Sequence, residues 1–284
     1  MVTKTGLSTM VYRSAKAALA LSLARLRSAG KPQATLAARA EQIFLPFRKD
    51  LAGKFATDNP ESRIIDNKYL ATPIYEGTLS KVFAAKPLTG GPLVVIKTGS
   101  ELFEHLIPLE TEALKSIDLP GVVKLISSRE GSDPYLAMEF IPGCTLFQLL
   151  EQGNLTRREA DYLIESILKT AQSLHTAGIT HNDFNYHNIM IDLDGEVKVV
   201  DFGICSIKFE SEEKKLRKIQ IDLLMLAKII MEILDKLPSH PAKALVRGVV
   251  NGTHTSRTPF SSALDFITAI KRMSTLFPPA IKHV

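Results

Sequence analysis

The sequence contains no tryptophan and two cysteines, Cys144 and Cys205, among its 284 residues. Two cysteines cannot form a disulfide framework, which excludes the small disulfide-rich secreted folds and favours a reducing compartment. Uncharged stretches fall short of the roughly 20 apolar residues that a membrane-spanning helix needs, since the apolar run from Ala17 is soon broken by Arg25. We therefore predict a cytoplasmic globular protein with a full hydrophobic core.

Acidic residues are missing from positions 1–40, which are rich in Ala, Leu, Ser and Arg. Residues 1–55 hold ten Lys or Arg against Glu41 and Asp50, a net charge of +8, so the chain total of +5 leaves −3 for residues 56–284. The basic pI of 9.1 thus belongs to the amino-terminal segment. Specific nucleic-acid binding is not predicted, because the larger part of the chain is weakly acidic.

The basic segment has apolar residues at helical spacing. Five of them fall on one side of a helix, with most basic residues off it: Tyr12, Ala15, Leu19, Leu23 and Leu26. Three interpretations are open: an organellar transit peptide, an amphipathic helix on an anionic membrane or a partner, or a helix packed on the rest of the chain. A second short helix is predicted over residues 34–51, interrupted at Pro46, and a turn-rich boundary follows at 57–60. We define residues 1–62 as a basic helical extension.

The most informative stretch is residues 181–203, which read His-Asn-Asp-Phe-Asn-Tyr-His-Asn-Ile-Met-Ile-Asp-Leu-Asp-Gly-Glu-Val-Lys-Val-Val-Asp-Phe-Gly. The Asp-Gly pair at 194–195 lies between two apolar runs and predicts a β-hairpin, because both turn residues tolerate positive φ. The hairpin would hold Asn188 at the start of its first strand and Asp201 at the end of its second. Two oxygen-bearing side chains at matched ends predict a Mg²⁺ site that bridges phosphates. Asp183, on the preceding loop, could orient a hydroxyl and accept its proton.

This stretch resembles the protein-kinase superfamily, whose catalytic loop reads His-x-Asp-x-x-x-x-Asn and whose metal loop reads Asp-Phe-Gly. The resemblance covers roughly residues 69–235. It implies a two-lobed α+β fold with a small antiparallel-sheet amino-terminal lobe and a shortened, mostly helical carboxy-terminal lobe. We place the kinase-like catalytic domain at residues 63–284, with its lobes at about 63–141 and about 142–284.

Hydrophobic periodicity and turn signals give the elements around these motifs. Strands are predicted at 69–75, within 77–85, and at 92–97, 122–126 and 135–141. Helices are predicted at 101–117, 157–177, 212–236, near 240–250 and at 261–276. Two capping boxes, Thr145 with Gln148 and Thr156 with Glu159, mark helix starts.

The resemblance also implies a site for ATP. Lys97 ends an apolar run similar to the family's Val-Ala-Ile-Lys strand and would hold the α- and β-phosphates. Glu110 on the following helix would fix the rotamer of this lysine, with Glu112 as the fallback. His181 would brace the catalytic loop, and Asp222 resembles the family's buried aspartate that accepts backbone N–H groups of that loop. Three residues of the linker between the lobes would surround adenine: Met138 at the back, and Glu139 and Ile141 through their backbone groups.

The phosphate-covering loop departs from the family's Gly-x-Gly-x-x-Gly-x-Val pattern. When the pattern is aligned on Val82, its glycine positions hold Tyr75, Gly77 and Ser80, so that only the central glycine is present. A loop with one glycine is stiffer and offers fewer open backbone amides. Gly77, Ser80 and Val82 are still implied to cover the nucleotide, with the Ser80 hydroxyl available to a phosphate.

Further departures concern the acceptor. Conventional protein kinases have Arg where this chain has Asn182, and Ser/Thr-specific ones have Lys where it has Asn185. The Ala-Pro-Glu segment that forms the usual peptide platform is absent. The resemblance is thus closer to RIO-type kinases, bacterial lipopolysaccharide-sugar kinases and aminoglycoside phosphotransferases. A basic cluster at residues 214–218 lies where the platform would be, and it is either a site for an acidic substrate or a solvated helix face.

The expected function is Mg²⁺- and ATP-dependent transfer of the γ-phosphoryl group to a hydroxyl, with Ser or Thr of a protein as the leading acceptor. A sugar, glycolipid or other small-molecule acceptor is the first alternative, and a nucleotide-binding pseudokinase scaffold is the second. The presence of Lys97, Asp183, Asn188 and Asp201 favours an enzyme, with Asp183 and Lys97 catalytic and Asn188 and Asp201 binding the metal.

Overall fold

The structure is a computed structural model that describes residues 30–56, 59–100, 103–252 and 259–276. The apolar stripe from Tyr12 to Leu26, with the three interpretations attached to it, lies outside these residues. Among the helices within these ranges, none is both long and apolar enough to cross a membrane.

The described elements begin with a helix, continue through a strand-rich part and end in a helix-rich part. In chain order they are α1 (Pro32–Ala56), β1 (Arg63–Ile65), β2 (Tyr69–Glu76), β3 (Ser80–Pro87), β4 (Val94–Gly99), α2 (Leu106–Ser116), β5 (Leu125–Arg129), β6 (Tyr135–Glu139), β7 (Gly143–Thr145), α3 (Leu146–Glu151), α4 (Arg157–Thr176), β8 (Ile189–Asp192), β9 (Val197–Val199), α5 (Glu212–Asp235), α6 (Lys243–Asn251) and α7 (Ala263–Leu276).

The amino-terminal lobe is a six-stranded antiparallel sheet with strand order β1-β2-β3-β4-β6-β5, against which α2 packs. The predicted antiparallel-sheet lobe is therefore confirmed. The strand predicted at 122–126 is displaced, because β5 begins at Leu125. Val122 instead forms an isolated parallel bridge with Val199 of β9, and the Val123 N–H donates to the Val199 carbonyl at 3.0 Å. The apolar run at 122–126, which the sequence predicts as a strand of the sheet, thus connects the two lobes through its first residues.

Helix α2 begins later than its apolar pattern predicts. Residues 103–105 form a turn, in which the Phe103 N–H donates to the Ser100 carbonyl at 2.8 Å. The chain reverses closely here, since a Cβ added to Gly99 would lie 2.5 Å from the Cα of Glu104. The predicted start at residue 101 lies outside the described residues, but this turn keeps residues 103–105 out of the helix, which begins at Leu106.

The carboxy-terminal lobe holds the main apolar core, in which α4 and α5 pack together beside the three-stranded sheet β7-β8-β9. Both predicted capping boxes are confirmed, at Thr145 for α3 and Thr156 for α4. Helix α5 begins at the N-cap Ser211, with Glu212 and Glu213 in its first turn. Acidic side chains stabilise that end of a helix through its dipole.

The predicted hairpin is confirmed as β8 paired antiparallel with β9. Its turn is held by the Asp192 side chain, which accepts the N–H groups of Asp194 at 2.9 Å and Glu196 at 2.8 Å. Gly195 has φ of +80°, a conformation that favours glycine. Asn188 and Asp201 flank the two strands, and the Val200 N–H donates to the Asn188 carbonyl at 2.9 Å.

Helix α1 belongs to the same packed body, because it contacts β7, β8, α3 and α4. Leu36 and Ala40 are fully buried members of the main core. The predicted interruption at Pro46 is wrong, since the helix runs unbroken to Ala56. Pro46 and Gln42 are both exposed, so water can satisfy the Gln42 carbonyl that the missing proline N–H leaves unpaired.

Gly195 offers a test of how closely α1 approaches the hairpin. A Cβ at Gly195 would lie 2.1 Å from the Gln33 carbonyl oxygen, whereas a Cβ at Gly153, whose φ is +96°, would meet nothing within 4 Å. Gly153→Ala should lower the free energy of unfolding by about 1–2 kcal/mol through backbone strain alone. Gly195→Ala should cost about 1–3 kcal/mol more, because α1 or the turn must move. Urea denaturation of both variants measures the difference, and equal losses would contradict the close approach.

Candidate active site

A cavity of about 730 Å³ lies between the two lobes. Nine of the residues that the sequence assigned to the site line it: Ser80, Val82, Lys97, Glu110, Met138, Glu139, Ile141, Asn188 and Asp201. Two assigned residues, Gly77 and Asp183, are not on its wall. Asp183 is joined to the lining residue Asn188 by a hydrogen bond, as described below.

Lys97 lies at the charged end of the cavity, where strand β4 brings it beside two carboxylates. Its Nζ is 2.8 Å from Glu110 Oε2 and 2.6 Å from Asp201 Oδ1. The Lys97 side chain is 10% exposed and that of Glu110 is 1% exposed, while the Asp201 side chain is 44% exposed and faces the opening. A buried ammonium group is stable only when paired, so Lys97 ties together β4, α2 and the end of the hairpin.

The charges of this cluster shift one another's protonation. Burial alone would lower the pKa of Lys97, but Glu110 and Asp201 raise it above its ordinary value. Burial would raise the pKa of Asp201, yet the Lys97 ammonium holds it below the usual range. Burial raises the pKa of Glu110, and Lys97 opposes that shift. Lys97 therefore stays charged, and Asp201 stays an anion that can bind a cation.

Glu110 and Glu112 point in different directions from α2. Glu110 Oε1 accepts the Phe202 N–H at 3.1 Å, so the same side chain that pairs with Lys97 also positions the Asp-Phe-Gly segment. Glu112 is paired with Lys208 at 2.7 Å on the surface. Two residues apart on a helix differ by about 200° around its axis, which is why one glutamate reaches the cavity and the other does not.

The catalytic loop is held from below by Asp222, which is fully buried. Its carboxylate accepts the backbone N–H groups of His181 at 3.0 Å and Asn182 at 2.8 Å, and it lies 2.9 Å from His175 Nε2. These partners compensate the desolvation of a carboxylate inside an apolar helix. The arrangement is the one that the family resemblance implied for this residue.

Asp183 and Asn188 form a hydrogen-bonded pair on the floor of the site. Asn188 Nδ2 donates to the Asp183 carbonyl at 3.1 Å and to Asp183 Oδ2 at 2.9 Å. Asn185 Oδ1 closes the loop between them by accepting the N–H groups of His187 at 2.8 Å and Asn188 at 3.2 Å. The Asp183 carboxylate is therefore held in one orientation at the edge of the cavity.

Asn182 has a positioning role that the sequence did not reveal. It adopts φ of +63°, and its Nδ2 donates to the Ile204 carbonyl at 2.8 Å and to Ser206 Oγ at 2.9 Å. Thr180 and Ser206 add two backbone hydrogen bonds at the same place. The segment that follows Asp-Phe-Gly is thus fastened to the catalytic loop by a neutral amide. Comparison with the family pattern showed only that Asn182 replaces an arginine, and it gave no indication of these hydrogen bonds.

The loop between β2 and β3 is a tight turn, in which the Gly77 N–H donates to the Ser80 carbonyl at 3.0 Å. The Tyr75 ring lies over Gly77, since a Cβ there would be 2.5 Å from the Tyr75 hydroxyl. Tyr75 lines the cavity in place of Gly77. Tyr75, which stands at the position of the family's first glycine, therefore covers Gly77 at the position of the second.

Several lining residues were not assigned from the sequence, and three of them, Ile43, Phe44 and Phe47, belong to α1. The sequence predicted a helix over residues 34–51, but it contained no signal that this helix reaches the cavity.

The basic cluster at 214–218 is largely paired with neighbouring acids. Lys214 pairs with Glu210, Lys215 with Glu212 and Arg217 with Glu213. The interpretation as a solvated helix face therefore fits these residues better than a substrate site. Burial raises the pKa of the Cys144 and Cys205 thiols to about 12, so both are unreactive side chains of the core.

The fold and the site together define a two-lobed phosphotransferase-like protein with a polar cluster at one end of an interlobe cavity. The family model of the protein kinase domain matches residues 71–223, more than half of the chain. The chain belongs to the protein kinase family. The predicted superfamily and the two-lobed α+β fold are confirmed at this level. The closer likeness to RIO-type, lipopolysaccharide-sugar and aminoglycoside kinases stays a prediction.

Several curated proteins are similar to this chain. Sperm motility kinase 2B of Mus musculus is 34% identical over 135 residues, which cover 46% of this chain and 28% of that protein. The 3-phosphoinositide-dependent protein kinase 1 of Arabidopsis thaliana is 27% identical over 158 residues, 52% of this chain and 32% of that protein. Serine/threonine-protein kinase PknL of Mycobacterium tuberculosis is 31% identical over 156 residues, which are 52% of this chain and 39% of that protein. The chain thus spans about a third of the length of these relatives.

The buried His181 predicts a specific dependence of stability on pH. His181 Nε2 lies 3.1 Å from the Val200 carbonyl and therefore donates, while Nδ1 accepts the Asp183 N–H at 3.3 Å, a bond that protonation of Nδ1 would break. Burial lowers the pKa of His181 below its ordinary 6.5. Below about pH 6.5 the unfolded chain then binds a proton that the folded chain excludes, and stability falls as the pH falls.

His181→Gln, which keeps a donor and an acceptor but does not titrate, should reduce this slope by up to about 1.4 kcal/mol per pH unit. Urea denaturation of both proteins between pH 7.5 and 5.0 measures it. The same slope in wild type and variant would show that His181 does not titrate differently in the two states.

Proposed function

We propose that this protein transfers the γ-phosphoryl group of Mg²⁺-bound ATP to a hydroxyl group. The observation that carries the proposal is the contact of Lys97 with both Glu110 and Asp201 at the charged end of the cavity. A buried, permanently charged lysine held in one rotamer is suited to bind phosphate oxygens. Its position beside Asn188 and Asp201 supports a triphosphate extending over these residues.

The donor set of the site fits Mg²⁺. Asp201 supplies an ionised carboxylate, and the side-chain hydrogen bonds of Asn188 are donated by its nitrogen, which leaves its amide oxygen as a ligand. Oxygen ligands of this kind suit a hard divalent cation. When bound, the ion would neutralise charge on the phosphates as it shifts in the transition state.

Asp183 would orient the acceptor hydroxyl and take its proton. A bond forms between the acceptor oxygen and the γ-phosphorus, the bond from that phosphorus to the ADP oxygen breaks, and the hydroxyl proton passes to the Asp183 carboxylate. The bond from Asn188 Nδ2 holds this carboxylate in place. His181 stays neutral and braces the loop.

The leading acceptor is Ser or Thr of a protein, which the names of the serine/threonine-protein kinase relatives support. A sugar or glycolipid acceptor is favoured by one observation: residues 204–211 alone separate Asp-Phe-Gly from α5, so the usual peptide platform is missing. We also propose a catalytic domain of residues 63–284 in a reducing compartment such as the cytoplasm. Contact of the basic segment with an anionic membrane or a partner is part of the same proposal.

Labelled ATP tests the proposed chemistry. Purified protein with γ-labelled ATP and Mg²⁺ should transfer label to itself, to casein or to a glycolipid extract. Asp201→Ala and Asp183→Asn should each lower the rate by at least about 100-fold, because one removes the metal ligand and the other the proton acceptor. Glu112→Gln is the matched control, since Glu112 lies on the outer face of α2, and its rate should stay within about twofold.

The pattern of outcomes separates the candidate functions. Label on protein supports the leading acceptor, and label on glycolipid alone supports the alternative. Metal-dependent ATP binding without transfer to any acceptor, unchanged in Asp183→Asn, would identify a pseudokinase scaffold and contradict the proposed chemistry.

A further inference from the structure

One wall of the interlobe cavity is built by helix α1, which lies outside the part of the chain that matches the protein kinase domain. Ile43, Phe44 and Phe47 of α1 line the cavity together with residues of both lobes. Two of the three are aromatic and have no polar side-chain atom. They therefore bring apolar, aromatic surface to a cavity whose other end carries Lys97 and Asp201.

The contacts of Phe44 place α1 at the linker end of the cavity. The Phe44 ring centroid is 6.1 Å from that of Phe140, in the linker directly after β6, and 5.8 Å from that of Phe47. Phe44 is 6% exposed, so it is the buried anchor, while Phe47 is only partly buried and lines the cavity. The neighbouring lining residues Met138 and Ile141 are also apolar. This end of the cavity suits a flat, largely apolar ring rather than phosphate.

Helix α1 is held firmly enough to act as a wall. Arg39 donates to the Asn154 carbonyl at 3.2 Å and to the Leu149 carbonyl at 3.4 Å, and it lies 3.9 Å from the buried Glu159. The start of the helix packs against the hairpin turn at Gly195. The aromatic side chains are thus fixed relative to the lobe that holds Asp201 and Asn188. A preorganised wall contributes to affinity because it loses little freedom on binding.

We propose that α1 forms the base-facing wall of the nucleotide site and that Phe47 is a binding residue that packs against the heteroaromatic base. This inference rests on the proposed function, because it assigns the ligand as a nucleotide. The Phe47 ring contacts the base, while Phe44 packs against Phe47 and links it to Phe140. Contacts between an aromatic side chain and a base are sequence-tolerant and strong enough to change affinity by about 5- to 50-fold.

The test measures dissociation constants of the full chain for Mg²⁺·ATP and for Mg²⁺·tripolyphosphate, by titration calorimetry. Phe47→Ala should weaken ATP binding by about 5- to 50-fold and leave tripolyphosphate binding within about twofold. Phe47→Tyr, which keeps the ring, should restore ATP binding. Phe55→Ala is the matched control, since Phe55 is also a partly buried phenylalanine of α1 but does not line the cavity.

The outcomes distinguish this inference from the function on which it rests. Wild-type protein that binds no ATP would overturn both. If the wild type binds ATP and the Phe47→Ala and Phe55→Ala variants have equal dissociation constants for ATP, the base-facing wall is overturned. The proposed phosphotransferase function would not be affected by that result. Equal weakening of ATP and tripolyphosphate in Phe47→Ala would also overturn it, because a general distortion of the site affects both ligands.

Discussion

The burial of one ammonium group, that of Lys97, constrains the whole arrangement between the lobes. A cation that is 10% exposed must be paired, and its partners come from α2 and from the end of the β8–β9 hairpin. Removal of one partner from such a pair typically costs about 3–5 kcal/mol. These charges therefore fix the position of one lobe relative to the other. Glu110 also positions Phe202 by accepting its backbone N–H.

A second constraint orders the catalytic loop without any positive charge from the loop itself. Asp222 holds its backbone from below, His181 braces it as a neutral ring between Phe184 and Phe202, and Asn182 fastens it to the following segment. Asn182 and Asp201 both adopt positive φ, a conformation that costs energy in residues other than glycine. The network around them maintains that strain. The catalytic loop is thus ordered by hydrogen bonds within the chain and contributes no Lys or Arg that a phosphorylated residue would neutralise.

The parts of this structure that sequence predicts are the local ones. The Asp-Gly turn and the capping boxes are each encoded within a few residues, so the hairpin and two helix starts could be read directly from them. The charged end of the cavity joins Lys97, Glu110 and Asp201 from distant segments, and it was expected only from the family resemblance. The displaced start of β5 and the role of Asn182 also depend on contacts between distant segments, whereas α1 continues through Pro46 because that side of the helix is exposed to water. The lining residues Ile43, Phe44 and Phe47 are the clearest case, because their spacing is that of any amphipathic helix and only packing shows what their apolar face covers.

The two ends of the cavity therefore have different origins. The charged end consists of residues that resemble the family motif, and its chemistry follows from their identities. The apolar end is completed by a helix outside the matched residues, anchored by Arg39 to the helical lobe and by Phe44 to the linker. Because α1 is fixed to the lobe that carries Asn188 and Asp201, its aromatic face keeps a constant distance from these two side chains even if the sheet lobe moves. For a ligand that spans the cavity, the helical lobe alone would therefore fix the distance between the ring face of Phe47 and the carboxylate of Asp201. Lys97 would contact the same ligand from the sheet lobe.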